Sequence, residues 1–123
     1  MRKQYHFRPS PNGYFAWDVD RLVELTKGFD IIEVDVESIK ELDENYWFDD
    51  NKPTCRDVIL HTRLIREADF EYPIILSADG RLMDGMHRVG KALLEGNKTI
   101  KAVRFEETPE PDYIDVKPDE LPY

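Results

Sequence analysis

The sequence predicts a compact α+β domain, and three observations carry that prediction. Short apolar runs of strand length alternate with amphipathic stretches of helix length. Turn and cap signals separate them: Asn12-Gly13, Asp18, Gly28, Asp79-Gly80 and Gly96-Asn97. The chain has 123 residues, 41% hydrophobic and 35% charged, enough for one domain with a single modest core.

Tyr5-His6-Phe7-Arg8 and Tyr14-Phe15-Ala16-Trp17 read as an N-terminal β-hairpin, with Asn12-Gly13 expected to supply positive φ angles at its turn. Asp18 caps a short helix carrying Val19, Leu22, Val23 and Leu25, which Gly28 ends. Phe29 to Val36 alternates apolar and acidic residues towards its end, as a half-exposed strand does. The stretch from Ile39 to Asp50 is too polar for a buried element yet holds Tyr46, Trp47 and Phe48 in a row, which makes it a candidate active-site loop. The plainer alternative is a solvated acidic face with the three rings as a lid on the core.

A second helix opens at Pro53-Thr54-Cys55-Arg56, with Val58, Ile59, Thr62, Ile65 and Ala68 expected on its buried side, His61 packed among them and Cys55 a small core residue. Tyr72 to Ser77 and Arg81 to Met83 form a second hairpin about Asp79-Gly80. A third helix follows, with Asp84 or Gly85 as its N-cap, Met86, Val89, Leu93 and Leu94 as its apolar stripe and Gly96-Asn97 as its stop. Thr99 to Phe105 is the returning strand. Residues 1–105 thus make the domain, and 106–123 an acidic tail with four prolines that cannot form a core alone. That tail either wraps the domain in extended form or stays a disordered or partner-binding extension.

The start of the third helix carries the functional signal. A helix N-terminus is electropositive and has unpaired N–H groups, so it favours acidic side chains. Here His87, Arg88 and Lys91 occupy the first two turns. A phosphate would satisfy the cations and the amides together; the alternative is a helix capped by Asp84 with His87 and Arg88 solvated or ion-paired. Arg56, in the first turn of the second helix, is a cation in the same unfavourable place. It either completes the phosphate pocket or pairs with Asp49, Asp50 or Asp57.

The run Asp84-Gly85-Met86-His87-Arg88-Val89-Gly90-Lys91-Ala92, between the hairpin and the strand from Thr99, resembles the phosphate-binding box of the ParB/sulfiredoxin superfamily. The match is specific over residues 72–105; over 31–71 only the order of elements fits. The resemblance implies a small mixed sheet with helices packed on it. It also implies a box that cradles the phosphates of ATP, ADP or CTP, with Gly85, Met86, His87 and Arg88 as binding residues and Lys91 and Arg56 as further donors. Asp84 would bind Mg²⁺ or orient an acceptor. By the same resemblance Glu44 or Glu41 stands where related kinases place a catalytic base acting on a small-molecule hydroxyl. Sulfiredoxins carry a nucleophilic Cys immediately before the His-Arg pair; Met86 stands there, and a thioether cannot take that role. ParB partitioning proteins continue into a helix-turn-helix region, whereas the acidic tail follows Phe105 here.

The formal net charge is −9. Residues 106–123 account for −6 of it, with seven acids against Lys117, so the body is only mildly acidic. No basic face stands out, which argues against nucleic acid as a partner. One cysteine excludes an intramolecular disulfide framework, and no apolar run is long enough to span a bilayer. A cytoplasmic protein is expected, with a nucleotide and a small-molecule acceptor, or a protein engaged by the tail, as partners. Two functions stay open: a nucleotide-dependent phosphotransferase or hydrolase, and a non-catalytic module that senses a nucleotide or other anion; against a third, a ParB-like nuclease or DNA-associated protein, stands the acidic body.

Overall fold

The computed structural model describes residues 3–48 and 51–123. Three helices and two small sheets form an α+β domain. The hairpin of β1 (Tyr5–Ser10) and β2 (Gly13–Asp18) pairs antiparallel with His6 opposite Trp17 and Ser10 opposite Gly13. The turn residues are therefore Pro11-Asn12, and neither Asn12 nor Gly13 has a positive φ, contrary to the expectation for an Asn-Gly turn. Gly13 is needed for space instead: a Cβ there would sit 2.9 Å from the carbonyl oxygen of Val116.

Asp18 caps α1 (Val19–Thr26) by accepting from the Asp20 N–H, as its sequence position predicts. After β3 (Ile32–Asp35) the chain takes two 3₁₀ turns, Val36–Ser38 and Lys40–Asp43. Helix α2 (Cys55–Glu67) starts with a capping box in which Thr54 and Asp57 exchange side-chain-to-backbone bonds of 2.9 and 3.2 Å. Strands β4 (Ile74–Leu76) and β5 (Leu82–Asp84) form the second hairpin, and Gly80 takes the left-handed conformation its turn requires. Helix α3 (Met86–Leu94) leads to β6 (Thr99–Arg104). It closes with a Schellman arrangement, Gly96 N–H to Leu93 and Asn97 N–H to Ala92, at the predicted stop.

The four-stranded sheet has the order β3-β6-β4-β5, with β4 and β6 parallel and the other pairs antiparallel. Strand β4 is buried on both faces, and its alternation sorts the core. Ile74 and Leu76 meet Met86, Val89 and Ala92 of α3 on one face; Ile75 meets Trp17, Leu22, Met83, Val103 and Phe105 on the other. Helix α2 lies outside α3 and approaches it where Gly90 lacks a side chain; a Cβ there would stand 3.4 Å from Ile65.

Two packing expectations, for α2 and α3, are corrected, and the open choice for the tail is decided. No residue of α2 is fully buried: Val58 and Ile59 face solvent and so does Cys55, because α2 touches the domain through α3 alone among the helices and sheets it contacts substantially. On α3, Ala92 fills the stripe position expected for Leu93 and Leu94, and Leu94 is 71% exposed. The tail takes the extended wrap. Strand β7 (Tyr113–Val116) adds to β2 in a three-stranded sheet, Trp17 Nε1 donates to the Pro109 carbonyl at 2.8 Å, and Leu121 is buried.

Candidate functional site

The site is built from the β5–α3 turn upward. Gly85 is the N-cap of α3 at φ 111°, a conformation that L side chains avoid, and a Cβ on it would lie 2.6 Å from Ile74 Cγ2 and 2.8 Å from Arg88 Nη2. Only glycine lets the chain turn this tightly beneath the guanidinium. No side chain caps the helix, and its first turn holds no acid. The N-terminal amides therefore lack the carboxylate or hydroxyl partner that α1 and α2 both have. Arg88 folds back so that its Nη2 donates to Asp84 Oδ2 at 2.9 Å, and its Nε is buried with no hydrogen-bond partner. A buried unpartnered guanidinium donor costs about 1–3 kcal/mol, so an arriving oxyanion gains what the free chain lacks.

His87 does not point freely at solvent. Its Nε2 is hydrogen-bonded at 2.8 Å to Nδ1 of His61, one ring N–H donating to the lone pair of the other. Trp47 stacks on both rings, at centroid distances of 4.7 Å from His87 and 4.6 Å from His61, and Phe48 meets His61 edge-on. Burial pushes the His87 pKa down to about 4, helped by the neighbouring His61 and Arg88, and burial lowers His61 as well. The aromatic loop is thus a cover over the box. Beside Trp47, Tyr46 has its phenol pushed up to about 12 by burial and then by Asp84 and Glu41.

The two loop carboxylates are held by Arg81. Glu41 is 4% exposed; its Oε2 accepts the Leu82 N–H at 3.1 Å and the Arg81 Nε at 2.9 Å. Glu44 accepts from Arg81 Nη2 at 2.5 Å. Glu41 therefore anchors the loop to β5, a role its polar sequence context did not suggest. Beyond this ion-pair cluster, a cleft of about 820 Å³ opens between the loop and the N-terminal hairpin, with Arg8, Glu44, Tyr46, Trp47 and Arg81 on its walls.

Lys91 has a partner of its own. Its Nζ donates to the Ala68 carbonyl at 2.7 Å and lies 5.1 Å from the centre of the Phe70 ring, so it ties α3 to the end of α2. Arg56 is exposed in the first turn of α2, and the Asp57 it was expected to pair with accepts the Thr54 N–H instead. Asp49 and Asp50, its other expected partners, lie outside the described residues. Among the described residues no three His, Cys, Asp or Glu side chains converge as a metal site, and the Asp84 carboxylate is paired with Arg88 at 2.9 Å. Among the described residues no helix is long and apolar enough to cross a membrane.

The structure brings together Asp84, Gly85, Met86, His87 and Arg88 under Trp47 and Tyr46. Sequence reasoning missed His61 as the partner of His87 and Arg81 as the holder of Glu41 and Glu44. In both cases the partners lie far apart in sequence. No protein-family model, curated protein or solved structure matches the chain.

Proposed function

We propose that the chain is a nucleotide-binding module of the ParB/sulfiredoxin type, which seats the phosphates of ATP, ADP or CTP at the N-terminus of α3. The observation that carries this reading is the combination at one turn of an uncapped helix start, a side-chain-free Gly85 and a buried, unpartnered Arg88 Nε. A phosphate there would accept from backbone amides, from Arg88 and from His87, and the helix dipole would favour its charge. Asp84 would be free to hold Mg²⁺ bridging to the phosphates once Arg88 turns to the nucleotide, since Mg²⁺ is commonly held by one or two carboxylates plus substrate oxygens. Trp47 stacked on His87 means that the loop has to shift for a ligand to enter, which makes that loop the natural reporter of binding.

Binding without turnover is favoured over phosphotransfer to a small-molecule hydroxyl. The base in that reaction would be Glu41 or Glu44, and it has to stand free within hydrogen-bond reach of the acceptor proton. Glu41 is buried on Arg81 and Leu82, and Glu44 is held by Arg81.

The test is thermal unfolding of the wild type and of Arg88→Ala against ATP, ADP, CTP and GTP, each with and without Mg²⁺. A ligand at one hundred times its dissociation constant adds about 2.7 kcal/mol to the stability of the folded state. One nucleotide is expected to raise the melting temperature of the wild type and not that of Arg88→Ala, with a change in Trp fluorescence and no hydrolysis. Absence of any shift at millimolar nucleotide refutes the reading, and steady turnover with an added acceptor replaces the binding module by the enzyme.

A further inference from the structure

Helix α2 is unusual in having no fully buried residue while carrying five aliphatic side chains, four of them well exposed. One face, with His61 and Ile65, meets His87 and Gly90 of α3. At 100° per residue, Arg56, Leu60, Arg63 and Glu67 follow one another at spacings of four, three and four on a different face, flanked by Ile59 and Leu64. Leu60 is 49% exposed, Leu64 37% and Ile59 65%. Ile59, Leu60 and Leu64 thus form a small exposed apolar patch framed by Arg56, Arg63 and Glu67, and an exposed apolar patch rimmed by charge marks an interaction site.

We infer that this face pairs with the same face of a second copy of the chain, as an antiparallel α2–α2 contact about a two-fold axis. The charge pattern specifies that occupant and that direction. In an isologous contact each residue meets its counterpart across the axis. An axis between His61 and Thr62 sets Arg56 opposite the partner's Glu67, and Glu67 opposite the partner's Arg56, at both ends of the seam. In the middle it sets Leu60 against the aliphatic stem of the partner's Arg63, twice, and Ile59 beside the partner's Leu64. A parallel pairing would instead set Arg56 against Arg56 and Arg63 against Arg63. The face also avoids the acidic tail that makes two copies of a chain of net charge −9 repel elsewhere.

The full chain is tested by sedimentation equilibrium between about 1 μM and about 1 mM. The wild type is expected to shift reversibly from monomer to dimer, and Leu60→Glu to stay monomeric. Arg56→Glu and Glu67→Arg are each expected to weaken the dimer about tenfold, and the double exchange Arg56→Glu with Glu67→Arg to restore it, since that inverts the pair without removing it. All three substituted positions are solvent-exposed, so circular dichroism and melting temperature serve as the folding control. The single cysteine, Cys55, is exposed and takes a spin label. Antiparallel pairing places the two Cys55 Cα atoms about 20–25 Å apart from helix rise and spacing, whereas parallel pairing brings them to about 10 Å. A wild type that stays monomeric throughout, a dimer indifferent to Leu60→Glu, failure of the double exchange to rescue, or the short label distance each overturns the proposal.

Discussion

Lowering the pH from about 6.5 to about 4.5 is expected to remove roughly 3 kcal/mol of stability, and most of the loss is carried by two histidines. His6 is buried, and burial followed by the nearby Arg8 pushes its pKa from the ordinary 6.5 to about 3. Its Nε2 accepts a hydrogen bond from Arg8 Nε at 3.1 Å, which only the neutral ring can do. Because the folded-state pKa lies below the unfolded one, the unfolded chain binds more protons in this window. Stability is then complete above pH 6.5 and falls as the pH falls towards the folded value. A full pH unit below the unfolded pKa costs about 1.4 kcal/mol, and with the unfolded imidazole already half protonated at pH 6.5 the window costs about 2 kcal/mol for His6. His87, whose pKa is pushed to about 4, is less deeply buried, and halving its share for solvent screening leaves about 1 kcal/mol. Asp18, Asp57, Asp79 and Asp115 are all held below 3.8, so what they lose on protonation falls at lower pH and does not overlap. Urea unfolding followed by Trp fluorescence at several pH values checks this. His6→Gln, which keeps an acceptor for Arg8 and cannot titrate, is expected to flatten the slope by about two thirds. A wild type of constant stability over the window, or a slope unchanged in both His6→Gln and His87→Gln, contradicts the reasoning.

Two further outcomes concern the turn and the tail. Gly85→Ala is expected to destabilise by about 2–5 kcal/mol, from about 1–2 for a left-handed side-chain residue and about 1–3 for the contacts with Ile74 and Arg88. Urea unfolding with an unchanged m-value measures it, and a loss under 1 kcal/mol means the turn relaxes more freely than its packing implies. Truncation after Phe105 removes β7, the Pro109 acceptor of Trp17 and the Asp112 bonds to β2, each hydrogen bond contributing about 1 kcal/mol. The truncated chain is expected to lose at least about 3 kcal/mol and to show red-shifted Trp emission; unchanged stability and emission would mean that the tail merely lies on the surface.

Local chemistry alone determined much of this protein. Asp18 and Thr54 accept from N–H groups one turn away, Gly80 and Gly96 answer to their own φ, and the strand and helix periods of β4 and α3 are written within a few consecutive residues. The tight turn into α3 was legible for the same reason, since Asp84 and Gly85 stand directly before its apolar period; that no side chain caps the helix was not. Tertiary packing decided what those residues do. An amphipathic period says that a helix has an apolar side and not how much of it will be covered, so α2 looked like a core helix and is half bare. Charge in a sequence looks solvated until a partner distant in the chain is found. Arg81 draws Glu41 into the interior, His61 and Trp47 enclose His87, and Ala68 accepts from Lys91. Such pairs join positions tens of residues apart, and only the folded chain sets their distances.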